Sequence, residues 1–313
     1  RFDERKRVVK DKDLGPLIST DMTRCIHCTR CVRFTADIAG LQELGTTGRG
    51  ENMEIGTWIE KSVDHELSGN VIDLCPVGAL TSKPYAFNAR PWELRKTESI
   101  DVMDALGSNI RVDARGPTVM RILPRVNEEI NEEWISDKTR FVWDGLGRQR
   151  LDKPYVRDNG TLKAATWDEA LQRAAEMLKA PADSIGVIAG DLACAEGMKA
   201  AMDLANALGV KSIDCRQDGA RLGLAADGSK LPRESWLFNS TIMGIDDADA
   251  IVLIGVDPRK EAAVLNARLR KAWLRMVPVA LLGERVDLTF DYRYLGAGPD
   301  SLKDLKAGHP VFD

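Results

Sequence analysis

Four of the six cysteines are spaced as ligands of a metal centre. Cys25, Cys28 and Cys31 form a C-x2-C-x2-C run, and Cys75 follows after 43 intervening residues, directly before Pro76. Three thiolates at this spacing wrap around one face of an iron–sulfur cube, and each binds one iron. In bacterial ferredoxins a more distant cysteine followed by proline supplies the fourth ligand. The pattern therefore predicts one [4Fe–4S] cluster held by these four cysteines.

A structural zinc site is the main alternative for the same four cysteines. Zinc sites also use four thiolates, but they commonly present two C-x2-C pairs rather than a triple and a single cysteine. The spacing favours iron–sulfur and leaves a zinc-bound scaffold without redox activity as the second interpretation. The remaining cysteines, Cys194 and Cys215, belong to no ligand motif and are interpreted as packed thiols. Such usage is typical of a reducing compartment.

Three arginines, Arg24, Arg30 and Arg33, flank the cysteine run. A cluster with four thiolate ligands is anionic, so nearby cations would stabilise its reduced form and raise its reduction potential. Solvated arginines without influence on the cluster are the alternative. We expect no catalytic residues, because the three histidines are far apart in the sequence and suggest no triad.

The composition is that of a globular protein with no affinity for nucleic acid. Of 313 residues, 44% are hydrophobic and 29% are charged, and the net charge of −4 argues against a basic nucleic-acid-binding face. No apolar run approaches the roughly 20 residues that cross a bilayer, and the charged first twelve residues do not resemble a secretory signal. Any membrane association is therefore expected to be indirect, through partner proteins.

The chain divides by sequence pattern into three segments. Residues 1–90 carry the four spaced cysteines, residues 91–155 are rich in predicted strands, and residues 156–313 alternate helices and strands. Alternating residues at 108–113 and 119–123 predict a β-hairpin. Thr166 and Glu169 predict a capping box at a helix start. Together these patterns predict an α/β protein.

The last segment predicts a parallel sheet with helices on its faces. We expect strands at 184–189, 250–255 and 277–282, the second of them buried, and helices at 196–208 and 261–275. No G-x-G-x-x-G run follows a strand and no P-loop motif is present, so no dinucleotide-binding site is expected.

Several long runs of the sequence are specific enough to indicate a family, among them LGTTGRG at 44–50, ELSGNVIDLCP at 66–76 and TSKPYAF at 81–87. Further runs lie at 22–25, 95–104 and 131–138, with looser matches at 167–171, 214–219 and 260–266. Through these runs the chain resembles the large iron–sulfur subunits of respiratory complex I, the NADH:quinone oxidoreductases. The resemblance implies a small ferredoxin-like [4Fe–4S] domain, a β-rich segment and a parallel α/β domain of molybdopterin-oxidoreductase type, truncated at residue 313.

The resemblance also implies a function and partners. The chain would relay single electrons from the flavin side towards quinone without binding NADH itself, as part of a proton-translocating oxidoreductase. Its partners would be other peripheral-arm subunits, especially the flavin-bearing one. It would lie on the cytoplasmic face of a bacterial inner membrane or on the matrix side in mitochondria. Further clusters are expected only in an upstream segment that this chain lacks.

A molybdenum-dependent, formate-dehydrogenase-like subunit is the alternative function. Such enzymes carry a further cysteine motif and a Cys, Ser or selenocysteine ligand to the metal. Residues 91–193 contain no cysteine. We therefore expect no molybdopterin in this chain.

Overall fold

The computed structural model describes residues 8–190, 192–215, 225, 227–235 and 237–308. The chain forms two compact units, unit 1 (Arg1–Gly147 with Ser240–Asp313) and unit 2 (Arg148–Asn239). The division into three segments made from the sequence stays a prediction.

The described residues form short helices and short strands. The α-helices are α1 Arg30–Arg33, α2 Asn70–Leu74, α3 Asp137–Phe141, α4 Trp167–Met177, α5 Ala195–Ala207, α6 Pro258–Glu261, α7 Ala263–Leu274 and α8 Pro299–Lys306, and a π-helix covers Phe34–Ala39. The strands are β1 Ile18–Thr20, β2 Leu44–Thr47, β3 Glu54–Thr57, β4 Leu80–Ser82, β5 Arg95–Ile100, β6 Asn109–Arg115, β7 Thr118–Pro124, β8 Tyr155–Asp158, β9 Thr161–Ala164, β10 Gly186–Ile188, β11 Ser212–Asp214, β12 Ile251–Ile254, β13 Val279–Leu282 and β14 Arg293–Gly296.

Two short antiparallel sheets frame the cysteine region. β1 pairs with β4 in the register Thr20 to Leu80. β1 ends five residues before Cys25 and β4 begins five residues after Cys75, so this pairing brings the two cysteine-bearing loops together. β2 and β3 form the second pair.

The predicted β-hairpin is confirmed. β6 and β7 pair antiparallel, and β5 adds a third strand on the other side of β6. The turn between them contains Gly116 at φ 59°, a left-handed conformation that favours glycine. Asp113 is fully buried in this sheet and accepts hydrogen bonds from Arg111 (2.9 Å) and Arg121 (2.8 Å).

The parallel sheet expected in the last segment is present in unit 1 as β12–β13–β14. The prediction that the strand at 250–255 is buried was wrong, because Val252 and Ile254 are 37% and 48% exposed. β12 is an edge strand, and Ile251 and Leu253 on its other face pack into a core with α7.

The helix expected at 261–275 is present as α7, Ala263–Leu274, and a separate short helix that was not predicted precedes it. Asp257 caps a first helix, α6, by accepting from the Lys260 amide, and Pro258 occupies its first turn. Ala262 then leaves the helical conformation (φ −147°, ψ 75°), and α7 begins after it.

The cysteine region and α7 share one hydrophobic core. Ile18, Phe34 and Val71 from the first part of the chain belong to the same buried cluster as Val264 and Ala267 of α7. Within the described residues no helix is long and apolar enough to span a membrane.

Unit 2 confirms most of the local predictions. Thr166 and Glu169 form the capping box of α4, and the expected strand at 184–189 and helix at 196–208 are present as β10 and α5. β10 pairs in parallel with β11, a strand that was not predicted. The interpretation of Cys194 and Cys215 as packed thiols was wrong, since both are exposed. Cys194 is the N-cap of α5 and Cys215 follows the carboxyl end of β11, and both positions leave the side chain at the surface of the unit.

Candidate iron–sulfur site

All four spaced cysteines line one small cavity in unit 1. Cys31 is buried, and Cys25, Cys28 and Cys75 are partly buried. The cavity therefore presents four thiols from two chain segments that lie 43 residues apart in the sequence.

The loop that carries the first three cysteines is tightly wound. The amide of Cys25 donates to the carbonyl oxygen of Met22 (3.1 Å), closing a 3-10 turn before the loop. His27 and Thr29 both have left-handed φ values, 54° and 59°. That conformation is uncommon for a β-branched residue such as Thr29, and strained positions of this kind cluster at ligand-binding loops. Cys31 then lies in α1, which continues directly into the π-helix.

Cys75 reaches the cavity from the end of α2. It is the C-cap residue of that helix, and its amide donates to the carbonyl oxygen of Val71 (3.1 Å). Pro76 and Val77 follow it along the cavity wall. Proline cannot continue the helix, so the chain turns away towards β4 after the thiol has been presented.

Apart from Arg30, the rest of the cavity wall is apolar, and its apolar members were not predicted from the sequence. The buried ones are Met22, Ile55, Ala79 and Leu80. Met22 and Ala79 lie beside the cysteine motifs and were recognisable as apolar flanks, whereas Ile55 arrives through the β2–β3 pair and no spacing in the sequence indicates it. An apolar wall of this kind controls solvent access to a metal centre.

One hydrogen bond favours a thiolate at Cys25, whereas burial disfavours the thiolate of Cys31 until a metal replaces its proton. The backbone amide of His27 donates to Cys25 Sγ at 3.4 Å. Burial, with a smaller contribution from the neighbouring thiols, raises the pKa of Cys31 to about 11. A metal that replaces the thiol proton removes this cost, since metal binding and deprotonation are coupled.

The flanking arginines are placed differently from one another. Arg30 lines the cavity, Arg24 pairs with Asp21 at 2.8 Å, and Arg33 is exposed and does not line the cavity. Arg30 is therefore the flanking arginine that lines the cavity, and it is exposed to solvent as well.

The four thiols line a cavity and are not gathered around the position of a single metal ion. Among the described residues no three His, Cys, Asp or Glu side chains are arranged to hold a single metal ion. A cube of four irons makes no such demand, because each thiolate binds a different iron. The donor set of four thiols in an apolar cavity fits such a cluster.

Comparison with known families matches three parts of the chain. The family model of the ferredoxin-like domain of NADH-quinone oxidoreductase subunit 3 matches residues 15–81, which include all four cavity cysteines. The model of molybdopterin oxidoreductases matches residues 150–313, just over half of the chain. The chain belongs to the molybdopterin oxidoreductase family. The predicted combination of a ferredoxin-like and a molybdopterin-oxidoreductase domain is thereby confirmed.

A third family model, the 4Fe-4S domain of NADH-ubiquinone oxidoreductase NDSU1/NuoG-like proteins, matches residues 94–144. This stretch contains no cysteine in the present sequence. In the structure it includes β5 to β7 and α3. The thiols available to an iron–sulfur cluster in the matched ferredoxin-like regions therefore all belong to residues 15–81.

Close homologues of the chain are components of mitochondrial NADH-ubiquinone oxidoreductase. The mitochondrial 78 kDa subunit of NADH-ubiquinone oxidoreductase is 55% identical over 307 residues in Neurospora crassa and 52% over 309 in Candida albicans, each covering 97% of this chain. Iron-sulfur protein 1 of mitochondrial NADH dehydrogenase (ubiquinone) from Solanum tuberosum is 51% identical over 315 residues, covering 99%. The chain spans 41 to 42% of the length of these relatives. The resemblance predicted from the sequence is confirmed, and the molybdenum-enzyme alternative is not favoured.

Proposed function

We propose that this chain is an electron-relay component of an NADH:quinone oxidoreductase, using one [4Fe–4S] cluster bound by Cys25, Cys28, Cys31 and Cys75. The observation that carries the proposal is that these four thiols line one cavity inside the matched ferredoxin-like region. When bound, the cluster supplies one-electron chemistry.

The residues of the site bind and tune, and none acts as an acid or a base. The four cysteines hold the irons, and the apolar wall limits access of water. The amide of His27 donates to the sulfur of Cys25, and hydrogen bonds to cluster sulfurs help set the reduction potential. The charge of Arg30 favours the reduced, more negative state.

We further propose one cluster and no molybdopterin in this chain. The absence of cysteine from residues 91–193 supports this, since the second ferredoxin-type match then has no thiolate to offer. Within unit 1, α7 is proposed to support the cluster region through the hydrophobic core that both share.

We base our proposals on partners and location on the names of the similar proteins. As a complex I component the chain would assemble with other peripheral-arm subunits, including the flavin-bearing subunit. It would be a peripheral protein, and the mitochondrial names of the three relatives are consistent with the matrix-side location.

Low-temperature EPR of the anaerobically prepared chain tests this proposal. Dithionite reduction should produce one paramagnetic centre per chain, and reoxidation should abolish the signal. NADH alone should not reduce the centre, because the proposed relay needs a flavoprotein donor. A chain that remains EPR-silent on reduction, or that oxidises NADH without a flavoprotein, would contradict it.

A further inference from the structure

We propose that Asn70 and Arg140 form a positioning device for the fourth cysteine, Cys75, and that this is the role of the cysteine-free region matched at 94–144. The inference rests on the proposed function, because it concerns the placement of one ligand of the same cluster. It gives a structural role to residues 94–144, which contain no cysteine.

Asn70 opens α2 and ties it to the chain just before α3. It is 1% exposed, and its amide nitrogen donates to the carbonyl oxygens of Leu67 (2.9 Å) and Ile135 (2.8 Å). Its amide oxygen accepts from the backbone N–H of Ile135 (3.2 Å). Asn70 and the Ile135 backbone therefore exchange two hydrogen bonds, which fix the start of the helix that ends at Cys75.

Arg140, on α3, bridges the two polar residues of α2. It is 4% exposed, and its Nη2 donates to Asn70 Oδ1 (3.2 Å) and to Asp73 Oδ2 (2.6 Å). Asp73 stands two residues before Cys75. One guanidinium thus holds both the first turn and the last turn of a helix that is only five residues long.

A third contact sets the distance between the two helices. Asp137 Oδ1 accepts from the amide of Gly69 (2.7 Å), and its Oδ2 accepts from the hydroxyl of Ser68. A Cβ at Gly69 would lie 2.6 Å from Cδ of Arg140, so the arginine can occupy its place only beside glycine.

These contacts bear on the fourth ligand more than on the other three. Cys25, Cys28 and Cys31 lie within seven consecutive residues, so their relative placement is local. Cys75 has no such constraint, and its position relative to the loop depends on how α2 is held. Interactions behind a metal ligand orient it, and their loss commonly costs about 10- to 100-fold in affinity or activity. Loosening α2 should therefore release the iron bound by Cys75 first.

The test measures selective loss of one iron. Arg140→Gln, Asp73→Ala and Gly69→Ala are compared with the wild-type chain and with Arg268→Gln, all loaded anaerobically. Arg268, on α7, is a matched control, because it is 3% exposed and binds Asp246 (2.7 Å) and the Glu128 carbonyl (2.6 Å), so that it holds the 94–144 region through partners outside α2 and α3. Each protein is treated with ferricyanide. The [4Fe–4S]²⁺ core then gives up one Fe²⁺ and passes one electron to ferricyanide, leaving a [3Fe–4S]⁺ core that EPR detects.

The positioning role predicts that the variants at Gly69, Asp73 and Arg140 form the three-iron signal at least about tenfold faster than wild type. Arg268→Gln should match wild type per folded, loaded chain, and Arg140→Lys should recover part of the loss. Melting temperatures of the metal-free proteins separate general destabilisation from ligand placement. If Arg140→Gln does not fold, Asp73→Ala decides the matter, since Asp73 is one-third exposed.

Equal conversion rates in wild type, Asp73→Ala and Gly69→Ala would overturn the positioning role and leave the proposed function intact. Equal acceleration in Arg268→Gln would overturn it too, because the effect would then be general. A wild-type chain that holds no cluster would instead overturn the proposed function, and the positioning role with it.

Discussion

The guanidinium of Arg270 on α7 donates to the carbonyl oxygen of Ala36 at 3.2 Å, across 234 positions of sequence. The same side chain donates to the carbonyl oxygens of Asp37 (3.2 Å) and Thr289 (2.7 Å). Ala36 and Asp37 belong to the π-helix that continues from the cysteine loop. A single arginine from the α/β part of unit 1 therefore satisfies backbone groups immediately behind the proposed cluster ligands.

Arg270→Ala should lower the free energy of unfolding of unit 1 by about 1–3 kcal/mol, because it leaves partly buried carbonyl groups without their charged donor. Arg270→Lys should recover only part of this, since an ammonium does not reproduce the planar fork. Urea denaturation followed by circular dichroism measures both. Lys303→Ala, which removes an exposed pair with Asp300, should stay within about 0.5 kcal/mol of wild type. An Arg270→Ala variant as stable as that control would contradict the interpretation.

A buried carboxyl should make stability depend on pH. Burial, reinforced by Asp64, raises the pKa of Glu43 from its ordinary value of 4.5 to about 7. A folded pKa above the unfolded one means that the contribution to stability is complete below about 4.5 and is lost as the pH rises through about 7. Glu43→Gln imitates the protonated form, so its stability relative to wild type should increase between about pH 5 and pH 8, by about 1–3 kcal/mol.

The groups that face Glu43 do not obscure this window. Nε2 of His65 lies 3.7 Å from the Glu43 carboxyl, and burial lowers the pKa of His65 to about 4. His65 loses its stabilising contribution as the pH falls from 6.5 towards 4, so the difference between wild type and variant is compared above pH 6.5, where His65 is neutral in both the folded and the unfolded chain. Asp64 and Arg259 are common to both proteins. Denaturation of Glu129→Gln, at an exposed glutamate, provides the control, and a Glu43→Gln difference that does not change with pH would contradict the prediction.

The two exposed thiols should react without disturbing the cluster. Cys194 and Cys215 are accessible, whereas metal-bound thiolates are protected. In the anaerobically loaded chain we expect a thiol reagent to modify two cysteines rapidly, and one in each single Cys→Ser variant. The EPR signal should be unchanged in both variants. Loss of the signal in either one would show that a ligand has been missed.

Cys75→Ala should remove the fourth ligand while the loop that carries the other three remains. One iron then loses its protein ligand, so the iron content should fall from about four per chain to about three or fewer. Iron assay and EPR measure this, with Cys194→Ser as the matched cysteine control. An unchanged signal in Cys75→Ala would mean that Cys75 is not a ligand.

Local features of the fold were predictable because their causes are local. The capping box at Thr166 and the hairpin around Gly116 depend on residues within a few positions of each other. The interruption at Ala262 and the half-exposed face of β12 were not predicted. Whether one side of a strand is covered depends on which distant element packs there, and periodicity does not report this.

The residues of the candidate site also fall into two groups, those that local sequence identifies and those that only the fold brings together. The cysteines were identifiable because iron–sulfur ligands follow a characteristic spacing that can be recognised in the sequence alone. Asn70 and Arg140, 70 positions apart, were not, since their pairing appears only when the chain is folded. Buried polar groups find hydrogen-bond partners wherever the fold brings them, and an isolated Asn or Arg in a sequence carries no mark of burial.

Metal and sulfide content tests the central claim most directly. Protein purified and loaded under anaerobic conditions should contain about four irons and about four acid-labile sulfides per chain, with zinc well below stoichiometric amounts. The quadruple Cys→Ala variant at positions 25, 28, 31 and 75 should contain neither iron nor sulfide. Stoichiometric zinc without sulfide in the wild-type chain would contradict the account and favour a structural zinc site.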